Sequence, residues 1–380
     1  MSAVQRHGGN REAWALELGC RPEQLLDASA SLVPFGPPRW LQRALRRQLA
    51  TQALSAYPDR RYSRLRQAIS AWHGLDPDQV LPGNGAAELF TWAARDAASC
   101  GSSLLPQPGF ADYGRALATW QASVQTPPLV WQPGSSAAQP FLCPAISPSA
   151  QVLWITNPHN PTAQLWSRAS LEPLLARFAL VIVDEAFLPL VPGGEAESLI
   201  PLLAQHPNLV VIRSLTKLLA VAGLRLGYAL AAPERLVAWG QWRDPWPVNG
   251  LAAAAGSLWF DQPQRAHAWQ QRVHRWVASE GAWLQEQLAS IDGLSPVPSA
   301  ANYLLLRGDR DGRFLSLQPL LHQLAAQERI LLRDCRSFVG LGEHWLRIAY
   351  QDRRGNRRIV SAIRRFMPQA LSSINTSASS

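Results

Sequence analysis

The sequence has few of the features that mark secreted, membrane or metal-binding proteins. No apolar run reaches the roughly 18 residues that a membrane-spanning helix needs, and the start MSAVQRHGGNREAW has no apolar segment typical of a secretory signal. Cysteine is rare and forms no C-x-x-C pair; the four cysteines are Cys20, Cys100, Cys143 and Cys335. This spacing argues against a zinc site or a disulfide framework. It predicts a cytoplasmic protein with no metal and no membrane association.

Acidic residues are the minority charge, and the formal net charge is +9 at pH 7. The arginines are spread through segments such as DRRYSRLR and DRRGNRRIVSAIRR, without a basic run interleaved with aromatic side chains. No helix-turn-helix, KH or RRM signature is present. An anionic small-molecule substrate therefore explains the charge better than nucleic acid does. A nucleic-acid-binding or regulatory protein stays as an alternative from another class.

Short apolar runs alternate with segments of helical periodicity between residues 100 and 230. The runs are SSLLP, QVLWITNP, ALVIVDEAF, NLVVIRSLTK and RLGYALAA. Such alternation predicts an α/β fold with a mostly parallel central sheet and helices on both of its faces. Helices are predicted at about 39–52, 62–73 and 251–290. The segments NYLLLRG, ILLRDC and WLRIAY predict strands of a smaller α+β unit.

Proline-rich and glycine-rich segments divide the chain. We predict an N-terminal arm over 1–38, which ends in PFGPP, and a large domain over 39–245. The segment RDPWPVNG then separates a small C-terminal domain over 246–370. The tail over 371–380 has little apolar surface to bury and is predicted to be disordered.

Polar side chains follow three of the predicted strands at the point where each strand ends. Asn157 follows VLWIT, Asp184 ends LVIVD, and Ser214, Thr216 and Lys217 follow LVVIR. Taken singly, such residues are more typical of turns, helix caps or solvated surfaces. Ligands gather at the carboxyl ends of strands in open α/β sheets. Three such ends in succession therefore predict one shared pocket.

The side chains of this predicted pocket match the functional groups of pyridoxal 5′-phosphate. A buried lysine can form a Schiff base with an aldehyde, and an aspartate can keep a ring nitrogen protonated. An asparagine can form a hydrogen bond with a ring hydroxyl. The Gly-Asn-Gly turn at 83–85, which opens a predicted helix, offers backbone N–H groups to a phosphate. Arg225 adds a guanidinium group to the same phosphate.

The motifs NPHNPT, VDEAF and SLTKLLAVAGLRLGY resemble, in order and spacing, those of the fold-type I pyridoxal-phosphate enzymes. Within that superfamily the chain resembles the histidinol-phosphate aminotransferase branch. The resemblance covers nearly the whole chain. It implies a large cofactor-binding domain with a mostly parallel sheet and a smaller α+β C-terminal domain.

The resemblance implies a role for each matching residue. Lys217 matches the Schiff-base lysine, Asp184 the partner of the ring nitrogen and Asn157 the ligand of the ring oxygen. Phe110 matches the aromatic residue that stacks on the ring, although a plain core role stays open for it. The residues that match the phosphate ligands are Gly85, Ala86, Ser214, Thr216 and Arg225, together with Tyr57 from the neighbouring subunit. The resemblance therefore implies a homodimer with shared active sites.

The N-terminal HGGN and the later LDASASLVPFGPP resemble the threonine-phosphate decarboxylase branch, and the histidinol-phosphate enzymes lack the HGGN arm. A frayed N-terminus is the alternative explanation of this arm. The resemblance implies that His7 and Arg333 hold a substrate phosphate, and that Arg347 takes the substrate carboxylate or shares the phosphate. Ser31 and Val33 stand where that branch has asparagines, so the substrate itself stays open.

The implied activity is the decarboxylation of a phosphorylated amino acid. In that branch L-threonine O-3-phosphate becomes (R)-1-amino-2-propanol O-2-phosphate, which supplies the nucleotide-loop linker of cobalamin. The alternative is a histidinol-phosphate-type aminotransferase. The two reactions differ in whether the C–COO⁻ bond or the C–H bond of the substrate Cα breaks. The side chains that orient the substrate decide between them.

Overall fold

Two β-sheets and the helices that cover them make up the fold. The computed structural model describes residues 7–50, 55–131, 136–144 and 149–377, with side chains through residue 368. The first six residues of the predicted arm, residues 51 and 52 of the predicted first helix and residues 378–380 of the predicted tail lie outside the described residues. No helix in these ranges is long and apolar enough to cross a membrane.

The described strands follow the predicted apolar runs closely. In chain order they are β1 (Leu26–Ala28), β2 (Val80–Asn84), β3 (Ser102–Leu104), β4 (Val124–Gln125), β5 (Ala150–Thr156), β6 (Leu180–Asp184), β7 (Leu209–Ser214), β8 (Leu226–Leu230), β9 (Leu294–Pro296), β10 (Tyr303–Arg310), β11 (Arg313–Phe314), β12 (Ile330–Asp334) and β13 (Trp345–Ala349).

The described helices include the predicted ones. In chain order they are α1 (Arg11–Glu17), α2 (Arg39–Leu49), α3 (Ser63–His73), α4 (Ala86–Cys100), α5 (Ala111–Thr119), α6 (Arg168–Leu171), α7 (Leu215–Leu218), α8 (Pro233–Trp242), α9 (Gly250–Phe260), α10 (Pro263–Ala289), α11 (Gln318–Glu328) and α12 (Arg353–Ser377). The helix predicted over 251–290 is two helices, because the chain turns at Asp261 and Gln262 and Pro263 then begins α10.

The larger sheet has the order β2-β8-β7-β6-β5-β3-β4 among the described strands. All neighbouring pairs are parallel except those of β8, which runs antiparallel to both β2 and β7. The prediction of a mostly parallel sheet is confirmed. The register pairs Thr156 with Asp184 and Asp184 with Ile212, so the polar strand ends lie side by side.

Helices bury both faces of this sheet, which explains why its central strands are continuous apolar runs. Ile182 and Val210 face a cluster that contains Leu117 of α5 and Trp239 of α8. Val181 belongs to the cluster on the other face, which α3, α9 and α10 help to form.

The smaller sheet has the order β1-β12-β13-β10-β11, with β9 paired to β10, in the described part of the chain. Strand β1 of the predicted arm pairs in parallel with β12, so residues 26–28 of the arm belong to this sheet. Helix α9 packs against α2 and α3 of the large unit. These contacts link the start of the predicted small domain to the large unit, and the boundary after residue 245 stays a prediction.

The disordered tail over 371–380 stays a prediction, and α12 continues to Ser377. A helix that is already formed gains one hydrogen bond for each residue added, so it can extend beyond its packed part.

Candidate active site

A cavity of about 410 Å³ lies where the carboxyl ends of β6 and β7 face the smaller sheet. Its wall is formed by residues of the large unit, of the smaller sheet and of the N-terminal arm. Ten of the thirteen sequence-predicted site residues line this cavity: His7, Ala86, Phe110, Asp184, Ser214, Thr216, Lys217, Arg225, Arg333 and Arg347. The structure therefore brings together most of the residues that the sequence placed in one pocket.

Lys217 reaches this cavity from α7, a single helical turn that directly follows β7. Ser214 caps the turn, because its Oγ accepts a hydrogen bond from the backbone N–H of Thr216 at 3.3 Å. Burial, together with the positive charges of Arg347 and Arg225, lowers the pKa of Lys217 to about 8. A lysine with such a pKa can act as a nucleophile and can exchange a proton near neutral pH.

Asp184 ends β6 at the cavity wall, and both of its carboxylate oxygens are held. Oδ1 accepts a hydrogen bond from the backbone N–H of Ala186 at 2.9 Å. Oδ2 accepts one from the hydroxyl of Tyr113 at 2.5 Å. Burial raises the pKa of Asp184 to about 6, although the Tyr113 hydrogen bond lowers it. Sequence reasoning missed Tyr113; its position three residues after Phe110 in PQPGFADY was the available signal.

Polar groups that suit a phosphate gather at one end of the cavity. The Oγ of Ser214 and the Oγ1 of Thr216 lie 2.7 Å apart, and Ala86 begins α4 beside them. Gly85 precedes that helix with φ +74°, and a Cβ there would lie 2.6 Å from Nη2 of Arg225. The positive φ favours glycine at this position, and its missing side chain lets the guanidinium lie close to the chain. The helix N-terminus, two hydroxyls and a guanidinium form a site for a phosphate.

Asn157, which is predicted to hold the ring oxygen of the cofactor, is anchored on the loop that follows β5, and its role stays a prediction. Its side chain is fully buried, with Nδ2 donating to the carbonyl of Trp166 at 2.9 Å and Oδ1 accepting from the N–H of Trp166 at 2.8 Å. Each end of the amide makes one hydrogen bond to the loop that follows β5, so a second N–H of Nδ2 has no partner among these contacts. Asn157 is not among the residues that line the cavity. Asn160, the second asparagine of NPHNPT, does line it.

Two arginines face each other on the small-sheet side of the cavity. Arg333 on β12 and Arg347 on β13 are direct register partners, so their side chains leave the same face of the sheet. Both are at least nine-tenths buried. Like charges directly opposite each other repel, and burial together with Arg347 lowers the pKa of Arg333 to about 10. Bound anionic groups would relieve this repulsion, which points to a substrate with negative charge.

Arg347 also makes hydrogen bonds to two neighbouring residues of the cavity wall. Its Nη1 donates to Oδ1 of Asn160 at 2.5 Å, and its Nη2 donates to the carbonyl of Ser29 at 3.2 Å. Its Nε is buried without a hydrogen-bond partner among the described residues, and so is the Oγ of Ser31 on the same wall. Buried polar atoms are normally paired, so these two atoms are available to a bound molecule.

The N-terminal arm lies against the cavity from His7, its first described residue, onward. His7 and Gly8 line the cavity, and the His7 ring packs edge-on against Phe110 with 5.8 Å between centroids. A Cβ at Gly8 would lie 2.2 Å from the carbonyl oxygen of Ser29. The N–H of Gly9 donates to Oγ of Ser29 at 3.0 Å. The glycines therefore allow a close approach of the arm to the chain beside β1.

Two further sequence-predicted positions lie away from the cavity. Tyr57 is 78% exposed and stacks on Trp246 with 4.4 Å between ring centroids. Val33 is buried in the main apolar core. Of the two replaced asparagines, only Ser31 therefore faces the cavity, and the loss of a polar group at Val33 does not alter its lining.

The donor set of the cavity fits pyridoxal phosphate. Lys217 can bond the aldehyde, Asp184 can pair with the ring nitrogen, and Phe110 stands at the wall where a ring would lie. The close approach of Gly85 and Arg225 makes a cradle that a Cβ would fill, which suits a phosphate. The paired arginines then leave the opposite side of the cavity for the anionic groups of a substrate.

Comparison with known families matches residues 25–363 to the aminotransferase class I and II family. The threonine-phosphate decarboxylase of Salmonella typhimurium is 35% identical over 364 residues, which cover 94% of this chain and 95% of that protein. The histidinol-phosphate aminotransferase of Symbiobacterium thermophilum is 32% identical over 338 residues, with 87% of each chain covered. The adenosylcobalamin biosynthesis bifunctional protein CobDQ of Leptospira interrogans is 26% identical over 94% of this chain and 41% of its own length.

Solved structures of similar proteins share the fold. The L-threonine-O-3-phosphate decarboxylase from Porphyromonas gingivalis superimposes with a TM-score of 0.78 at 23% identity, covering 90% of this chain and 100% of that one. The histidinol-phosphate aminotransferase from Sinorhizobium meliloti, solved in complex with pyridoxal-5′-phosphate, gives a TM-score of 0.79 at 20% identity, covering 98% and 96%. Both likenesses agree with the two-sheet architecture described above.

Proposed function

The chain belongs to the aminotransferase class I and II family, and from that premise we propose that it is a pyridoxal-phosphate-dependent threonine-phosphate decarboxylase. It converts L-threonine O-3-phosphate to (R)-1-amino-2-propanol O-2-phosphate and carbon dioxide, for cobalamin biosynthesis. The similarity to threonine-phosphate decarboxylase over nearly the full length of both chains supports this assignment, and the CobDQ relative supports the biosynthetic role.

The observation that carries the choice of decarboxylase is the position of the arm. His7 lies on the cavity wall, in the HGGN segment that resembles the decarboxylase branch and that the histidinol-phosphate enzymes lack. Together with Arg333 and Arg347 it gives the cavity three groups that can bind anions, beyond those assigned to the cofactor phosphate. L-Threonine O-3-phosphate carries both a phosphate and a carboxylate, which such a set can hold apart.

The residues of the chain divide the work of cofactor binding. Lys217 would bond the aldehyde, and Asp184 would hold the ring nitrogen protonated. Ser214, Thr216 and Arg225, with the N–H groups at the start of α4, hold the phosphate. We assign the hydrogen bond to the ring oxygen to Asn157, whose Nδ2 makes one of its two possible hydrogen bonds to the carbonyl of Trp166. When bound, pyridoxal phosphate supplies an electron sink for the pair of electrons left as the C–COO⁻ bond breaks.

Substrate orientation selects the bond that breaks. We assign the substrate phosphate to His7 and Arg333, and Arg347 holds the carboxylate or shares the phosphate. Fixing the two anionic ends sets the rotation about the bonds to Cα, so the carboxylate can stand out of the ring plane. Lys217 is placed to return a proton to Cα, because its pKa of about 8 keeps it able to give one near neutral pH.

We also propose that the protein is a homodimer and that it is located in the cytoplasm. Tyr57 lies on the surface, away from the cavity of its own chain, and we assign it to the cofactor phosphate in the neighbouring subunit of a homodimer. The four cysteines are unpaired, as is typical of a reducing compartment, and this supports a cytoplasmic location.

Lys217 allows a sharp test of cofactor attachment because it is the only lysine in the sequence. Borohydride reduction of the loaded enzyme, followed by peptide mass spectrometry, should place the cofactor mass on the peptide that contains Lys217. The Lys217→Arg variant should carry no such mass and should lose the visible absorption band. An unlabelled wild-type Lys217 under saturating cofactor would overturn the cofactor assignment.

The reaction is tested by carbon dioxide release from threonine phosphate, serine phosphate and histidinol phosphate. We expect release from threonine phosphate without any keto-acid partner. The 32% identity to a histidinol-phosphate aminotransferase favours one alternative. Turnover of histidinol phosphate that strictly requires 2-oxoglutarate, with no carbon dioxide from threonine phosphate, would establish that alternative instead.

A further inference from the structure

Tyr113 is a buried residue of the site to which neither the motifs nor the proposed mechanism gives a role. It lies in α5 with its side chain enclosed by three aromatic rings. The ring centroids of Phe90, Phe110 and Trp154 are 5.0, 5.4 and 5.3 Å from its own. This packing fixes the ring, so the position of its hydroxyl is set by the fold.

The Tyr113 hydroxyl makes two hydrogen bonds, and their direction can be deduced. It donates to Oδ2 of Asp184 at 2.5 Å, because an ionised carboxylate can only accept. Its single proton is then used, so the contact with Oγ1 of Thr156 at 2.8 Å must be donated by the threonine. The result is a directed chain from Thr156 to Tyr113 to Asp184.

This chain of hydrogen bonds ends on the carboxylate that the proposed function assigns to the cofactor ring nitrogen. Asp184 Oδ1 is held by the N–H of Ala186 and Oδ2 by Tyr113, so the carboxylate plane cannot rotate without breaking one of these bonds. Both donors favour the ionised form, against the burial that raises the pKa of Asp184. Thr156, which donates to the tyrosine, polarises its hydroxyl further.

We propose that Tyr113, supported by Thr156, is a positioning residue that holds Asp184 ionised and oriented toward the ring nitrogen of the cofactor. The inference rests on the proposed function, because it concerns the grip of Asp184 on that cofactor. It goes beyond it by assigning part of that grip to two residues that do not line the cavity.

The test measures cofactor affinity of the apoenzyme rather than turnover. Apoenzyme is titrated with pyridoxal phosphate and, separately, with an analogue in which carbon replaces the ring nitrogen. We expect Tyr113→Phe, which keeps the ring and its packing, to raise the Kd for pyridoxal phosphate about tenfold. The Kd for the analogue should differ less than twofold between the variant and the wild type, because the analogue offers Asp184 no nitrogen.

Thr156→Val is a second test of the same chain of hydrogen bonds. It leaves Tyr113 in place and removes only the hydroxyl behind it, so we expect a smaller rise in the Kd for pyridoxal phosphate, about two- to threefold. This variant also tests the proposal if Tyr113→Phe does not fold.

Tyr228→Phe is the matched control. Tyr228 is also a buried tyrosine, and its hydroxyl contacts Nε2 of His73 at 2.9 Å instead of the aspartate. Its removal should leave both affinities unchanged.

Two outcomes would overturn the inference while leaving the proposed function intact. One is a wild-type Kd for pyridoxal phosphate in Tyr113→Phe. The other is an equal rise for the cofactor and the analogue, which would assign Tyr113 to packing alone. Failure of the wild-type apoenzyme to bind pyridoxal phosphate would instead overturn the proposed function.

Discussion

Ser31 shows how a single residue can complete a site. Its Oγ is buried on the cavity wall without a hydrogen-bond partner among the described residues. A buried hydroxyl without a partner costs free energy, and the same wall carries Arg333 and Arg347. We therefore expect the hydroxyl to donate to an anionic group of the bound substrate.

The variant Ser31→Ala tests this expectation. A hydrogen bond to a charged group contributes about 1.5–3 kcal/mol. The KM for threonine phosphate, measured by carbon dioxide release, should therefore rise about tenfold or more. The visible spectrum of the bound cofactor should not change, since Ser31 lies on the substrate side. Ser70→Ala, which removes a buried hydroxyl from α3, serves as the control. An unchanged KM in Ser31→Ala would remove this residue from substrate binding.

Residue identity within a motif was the hardest feature to predict from the sequence. The strand-end pattern placed Lys217 and Asp184 correctly on the cavity, because their positions follow from where a buried strand stops. The pattern could not separate Asn157 from Asn160, since both follow the same strand within four residues. In the structure the Asn157 amide contacts the backbone of Trp166, whereas Asn160 lines the cavity and accepts a hydrogen bond from Arg347. The sequence does not predict the role of Tyr113, because that role depends on a contact with Asp184 in a distant segment of the chain.

At the scale of elements, the arm is held by close backbone contact. Gly8 approaches Ser29, and the N–H of Gly9 donates to the Ser29 hydroxyl. Oγ of Ser29 in turn donates to Oδ1 of Asp27 at 2.6 Å, and its carbonyl accepts from Arg347. The arm, β1 and an arginine of the cavity wall are thus linked through one serine.

A methyl group at Gly8 should therefore displace the arm. We expect Gly8→Ala to raise the KM for threonine phosphate about tenfold, as His7→Ala should, because both remove the histidine from its place on the cavity. The spectrum of the bound cofactor should remain that of the wild type in both. Gly240→Ala is the control, since a Cβ there meets nothing within 4 Å. A normal KM in both arm variants would return this segment to the role of a frayed terminus.

The elements themselves were largely predictable. The buried strands of the large sheet were identified because both of its faces are covered, which makes each strand a continuous apolar run. The pairing of β1 with β12 was not predictable, because it joins segments about 300 residues apart. Nothing in the three residues of β1 distinguishes a strand in the smaller sheet from an irregular arm.

At the scale of the whole molecule, the cavity depends on two sheets that meet. The large sheet supplies the cofactor residues from the ends of β6 and β7, and the smaller sheet supplies the two arginines from β12 and β13. Neither set alone can hold a phosphorylated amino acid against a cofactor. Tyr57 extends this principle to a proposed second subunit, because it is exposed and remote from the cavity of its own chain.

Mixing two inactive variants tests whether active sites are shared between subunits. Lys217→Ala removes cofactor attachment, and Tyr57→Ala removes the proposed contact with the cofactor phosphate of the neighbour, which should abolish activity at limiting cofactor. In a mixed dimer one site combines the intact Lys217 of one subunit with the intact Tyr57 of the other. Random pairing makes half of the dimers mixed, each with one complete site, so co-expression should restore about a quarter of the wild-type activity. No recovery in purified mixed dimers, or a monomer by sedimentation, would show that each site is built by one chain. Wild-type activity of Tyr57→Ala on its own would instead show that Tyr57 is only a surface residue stacked on Trp246.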